Sequence, residues 1–112
     1  MPIYRSPGTG RALVGSVGLL PPSLDRVAFN TPDRIQRVSE VYPELLERAG
    51  VKVADSPQTD KRDFRVYRLE PQADDAEPRF LHLVRYRQKT VIFIAPEVWE
   101  PDRLFSQDRP RP

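Results

Sequence analysis

The strongest constraint on how this chain folds sits in residues 90–95, Thr-Val-Ile-Phe-Ile-Ala. Successive side chains of a strand point to opposite faces, so Val91, Phe93 and Ala95 face one way and Ile92 and Ile94 the other. A strand apolar on both sides belongs in the middle of a sheet with both faces covered. Leaving such a surface wet is costly, because burial of each large apolar side chain is worth ~1.5–3 kcal/mol. The rest of the sequence has to supply two covers.

One cover is legible. Thr31-Pro32-Asp33 reads as a helix start, with Thr31 as N-cap, proline at the first helical position and an acid in the first turn. Ile35, Val38, Tyr42, Leu45, Leu46 and Ala49 then recur at helical spacing, and Arg48 and Gly50 suit a helix end. Pro43 interrupts this stripe. A proline inside a helix costs ~3 kcal/mol, which predicts a kink or a break there. One such helix shields one side of a sheet. The other side falls to the N-terminal segment, to the region around Trp99 and Phe105, or to another protein.

The remaining elements follow from 13 prolines, which separate the apolar clusters instead of forming a polyproline run. Residues 63–69 (DFRVYRL) and 79–87 (RFLHLVRYR) are rich in aromatic and branched residues, as strands are. Arg87-Gln88-Lys89 is short enough for a hairpin into 90–95. Residues 11–20 read as a strand weakened by Gly15 and Gly18, 23–29 as either a helical turn or extended chain, 51–54 as a short strand and 55–61 as a polar loop. The expected fold is α+β, one kinked helix packed on a three- to five-stranded, mainly antiparallel sheet. Residues 1–10 form an irregular arm, 11–95 a single domain and 96–112 a Pro-rich tail.

Composition narrows the chemistry. Without cysteine the chain has no disulfide, no thiolate nucleophile and no cysteine metal ligand. The single histidine, His82, lies mid-strand without a visible partner, which suits a packed residue better than a catalytic base. The stretch GTGRALVGS has two glycines at phosphate-loop spacing, but Ser16 stands where the lysine belongs. Glu70, Asp74, Asp75 and Glu77 lack the glycine and terminal glutamate of a calcium loop. No catalytic residue, metal ligand or cofactor is expected. The start Met1-Pro2-Ile3-Tyr4 has no signal-peptide pattern and no apolar run reaches a membrane span, so a cytoplasmic location is the expectation.

Two functional readings remain. The first is a non-enzymatic interaction module, a small subunit or adaptor that docks on a larger protein or on a second copy of itself. Sheet and tail apolar surface would carry the contact, with Trp99, Leu104 and Phe105 as anchors. The second is nucleic-acid binding. A net charge of +2 gives little overall field, but arginines cluster beside the strands. Arg65, Tyr67, Arg85, Arg87 and Lys89 would form a basic, aromatic sheet face meeting phosphates and stacking on bases. On the strength of FRVYRL and the later TVIFI strand, the layout over about a third of the chain resembles the RelE/ParE-type bacterial toxins. That resemblance implies a helix followed by an antiparallel sheet whose basic and aromatic residues act on RNA or on a partner. It departs from those toxins in lacking their longer opening helical hairpin.

Overall fold

Strands Phe64–Leu69, Arg79–Tyr86 and Lys89–Ala95 form an antiparallel meander, close to the expected spans. The computed structural model describes residues 3–7, 10–71 and 77–106. In chain order the elements are β1 (Leu13–Val14), α1 (Pro22–Asp25), β2 (Phe29–Thr31), α2 (Ile35–Arg48), β3 (Thr59–Lys61), β4 (Phe64–Leu69), β5 (Arg79–Tyr86), β6 (Lys89–Ala95) and α3 (Pro101–Ser106). The sheet has six strands in the order β1-β2-β6-β5-β4-β3, one more than the upper expectation. Every neighbouring pair is antiparallel.

The differences from the sequence reading have physical causes. Thr31 is not the cap of the long helix; it is the last residue of β2, paired with Thr90, and its Oγ1 accepts from the Asp33 amide at 3.2 Å. The chain bends over Pro32 and Asp33, and α2 begins at Ile35 with Arg34 at the cap position. Pro43 lies inside α2 without breaking it. The buried stripe of Ile35, Val38, Tyr42 and Leu46 continues past it, so packing outweighs the local proline penalty. The C-terminal end follows expectation. Gly50 takes φ +89°, its amide donates to Glu47 and the Val51 amide donates to Leu46, a Schellman closure.

In the β5–β6 hairpin, Arg87 and Gln88 both have positive φ, 50° and 64°. That is the turn handedness which fits the twist of the flanking strands, achieved here without glycine.

Both faces of β6 are covered by this chain. On one, α2 packs Ile35, Val38, Tyr42 and Leu46 over Tyr67, Leu69, Leu81, Leu83 and Ile92. Tyr4 joins this layer, 1 % exposed, with its hydroxyl donating to Asp33 Oδ2 at 2.6 Å. On the other face, Phe64, Val66, Val84, Val91, Phe93 and Ala95 are roofed by Leu19, Leu20 and Leu24 from one side. Val98, Trp99, Leu104 and Phe105 cover it from the other. Residues 98–105 therefore fold back on the chain's own sheet. Leu104 is fully buried, Trp99 and Phe105 are half-buried, and the Arg103 guanidinium sits 3.7 Å from the Trp99 ring centroid. Of the side chains expected to anchor a partner, Leu104 is enclosed within the chain, and Trp99 and Phe105 are enclosed in part. Asp74, Asp75, parts of the N-terminal arm and residues 107–112 lie outside the described residues.

Candidate anion-binding site

Arg65 and Arg85 are brought together by strand register. Arg65 pairs with Leu83 across β4 and β5, and Arg85 lies two residues beyond Leu83 on the same face. Both project on the α2 side, past the last apolar contacts of the helix, where the first turn of α2 overhangs the sheet. Arg34 descends from that turn and Arg62 rises from the β3–β4 connection. The four arginines wall a cavity of about 380 Å³, completed by Ile35, Gln36 and Asp63.

The two inner arginines are held in place. Arg65 Nε donates to Asp60 Oδ1 at 2.9 Å and its Nη1 donates to Ser39 Oγ at 2.5 Å; its side chain is 23 % exposed. Arg85 Nη1 donates to the Asp33 carbonyl at 3.1 Å and to Thr90 Oγ1 at 3.0 Å. A guanidinium has five N–H donors, so each keeps several for a ligand. Arg34 and Arg62 are exposed and, among the described residues, their side chains make no hydrogen bond or ion pair. The carboxylate of Asp33 is turned away, accepting from Tyr4 and Ser6. Asp63 is the one acid in the cavity wall.

The helix start sharpens the electrostatics. The N-terminal end of a helix carries partial positive charge, so acids stabilise it and bases oppose it. The first turn of α2 has no acid and no side-chain cap, and places Arg34 at the cap and Arg37 within the turn. Cations at the positive end of a dipole, beside two further arginines, are mutually repulsive. A bound anion relieves that repulsion.

The structure divides the basic set expected from sequence. Arg65 and Arg85 share the cavity. Tyr67 is 8 % exposed and packed under α2, so no base can stack on it. Lys89 pairs with Tyr86, which belongs to the opposite layer, and Arg87 sits in the turn with its guanidinium 5.1 Å from the Tyr86 ring centroid. Arg34 was not legible as a site residue, although its signal exists: a base where the first helical turn calls for an acid. Arg62 was visible only as one of several bases flanking a strand.

His82 lies on the other face, fully buried and stacked on Phe93 with centroids 4.3 Å apart. Its Nε2 accepts from the Trp99 amide at 2.9 Å, and its Nδ1 lies 3.1 Å from the Phe80 carbonyl. This network assigns the proton to Nδ1. Burial pushes the imidazole down to about 4, so the ring is neutral and structural. Among the described residues, no three of His, Asp and Glu gather closely enough to hold a metal ion, and no helix is long and apolar enough to cross a membrane.

No protein-family model matches the chain, and no curated protein or solved structure matches it.

Proposed function

We propose that this chain is a nucleic-acid-binding module that grips phosphate groups in the cavity formed by Arg34, Arg62, Arg65 and Arg85. The observation that carries this reading is convergence: four guanidinium groups from three parts of the chain around one cavity, two braced and two without partners. Arginine suits the task because its planar donors match phosphate oxygens in pairs. Trp99, Leu104 and Phe105, the residues an apolar docking reading would use, pack on this chain's own sheet, Leu104 fully and the other two in part, which favours the phosphate reading.

The test is a salt titration of a fluorescent single-stranded oligonucleotide. Phosphate contacts make the logarithm of affinity fall linearly with the logarithm of salt, with a slope of about −0.7 per contact on single strands. R34A and R62A remove groups that hold nothing in the fold, so each should weaken binding and flatten the slope by about that amount. D63N removes the single opposing charge from the wall and should tighten binding. Binding that is absent at low salt, or indifferent to both arginine variants, rejects the proposal.

A further inference from the structure

From the same site, and resting on the nucleic-acid reading just given, we infer that the ligand is a single strand held through two successive phosphates, with its bases left in solvent. A second depression, of about 280 Å³, adjoins the first and shares Arg34 and Gln36 with it. Its additional wall is Arg37 and Glu40. The two depressions lie on either side of Arg34, across the first turn of α2. Arg34 stands at their boundary, placed to bridge one phosphate to the next, and Arg37 serves the second. The Arg37 side chain, like that of Arg34, has no hydrogen bond or ion pair among the described residues. A lone phosphate has no use for the second depression, whereas a strand crosses both. Glu40 is the one acid in the wall of the second depression.

The walls also say how the strand is read. Neither depression is lined by an aromatic side chain. On the α2 face of the sheet, Tyr4, Tyr42 and Tyr67 are buried in the core. Unpaired bases are recognised by stacking on aromatic rings or guanidinium planes; this site has no aromatic ring, and its two inner guanidinium groups are already braced by Asp60, Ser39, Thr90 and the Asp33 carbonyl. Recognition is therefore of backbone, blind to base identity.

Three probes test this by fluorescence anisotropy and competition: a labelled eight-nucleotide strand, an abasic strand of the same length, and inorganic phosphate. The full and abasic strands should bind within about threefold of each other, because stacking on protein aromatics, where it operates, is worth roughly five- to a hundredfold per base. R37A should weaken the strand by about fivefold and leave competition by inorganic phosphate unchanged. An abasic strand bound more than about tenfold more weakly means that bases are read, and overturns the inference. So does an R37A protein that binds the strand as the parent does. Inorganic phosphate competing as well as the strand, mole for mole, leaves an anion cavity and rejects the two-phosphate track. A strand that fails to bind at any salt rejects the nucleic-acid reading itself.

Discussion

On one side of the sheet a single helix of 14 residues supplies four buried side chains in one continuous stripe. On the other, the cover is pieced together from segments on either side of the sheet in sequence: residues 19–24, and residues 98–105 with the six-residue α3. The two layers differ in cooperativity. Every contact of α2 is tied to the next by the helical backbone. The C-terminal part of the patchwork roof meets β5 at two rings, His82, whose Nε2 takes the Trp99 amide, and Tyr86, stacked on Phe105 with centroids 6.1 Å apart. Continuous cover makes a face that holds or fails as a unit; segmented cover makes one that opens locally.

The largest break in this contrast is L46A. Leu46 is fully buried beneath α2, and the substitution should cost about 3–4 kcal/mol. Urea unfolding followed by far-ultraviolet circular dichroism and by tryptophan fluorescence should shift together.

Next is pH. The imidazole of His82 takes up a proton near 6.5 in the unfolded chain but only near 4 in the folded one. Its contribution to stability is complete above pH 6.5 and is lost progressively as pH falls toward 4, by about 3 kcal/mol in all. H82Q should be less stable at pH 7 yet lose less on acidification. Urea midpoints at pH 7, 5.5 and 4.5 for the two proteins isolate this group from the carboxylates.

L104A comes third, at about 2 kcal/mol, the low end for a buried leucine because a short helix can relax into the gap. Its distinguishing mark is hydrogen exchange: amides of 98–106 should lose protection while those of α2 keep theirs. If α2 amides exchange equally, the two faces are one cooperative unit and the contrast is wrong.

The smallest effect is at the β5–β6 turn, where Arg87 and Gln88 occupy positive φ. Replacing them with Asn and Gly should stabilise by about 1 kcal/mol, read as a higher thermal midpoint.

The parts of this fold that the sequence displays are those where one residue type at one spacing decides the outcome. The meander was visible because its strands carry branched and aromatic residues between clear stops. The end of α2 was visible because Gly50 has a single role. The start of α2 was misread because Thr31, Pro32 and Asp33 match a capping signal, while sheet pairing with Thr90 claims Thr31 for β2. β3, Thr59-Asp60-Lys61, is a polar edge strand with no pattern of its own. α3 left a usable trace, Pro101 followed by Asp102, which fits a proline-led helix start with an acid in the first turn. The site was half-legible. Arg65 and Arg85 are conspicuous in their strands, but their meeting with Arg34 and Arg62 depends on where the sheet stops and α2 begins, which no local pattern encodes.

The position of β2 has a kinetic consequence. β4, β5 and β6 are neighbours in sequence and can zip together through short connections. β2, by contrast, must find β6 across nearly the whole intervening chain, pairing Phe29 with Ile92 and Thr31 with Thr90. Closing so large a loop is entropically expensive before any contact repays it, so this pairing comes late. The segment that delivers Arg34 arrives with it. The arginine cavity is therefore assembled at the end of folding, on a meander that already exists, and an incompletely folded chain lacks the proposed site.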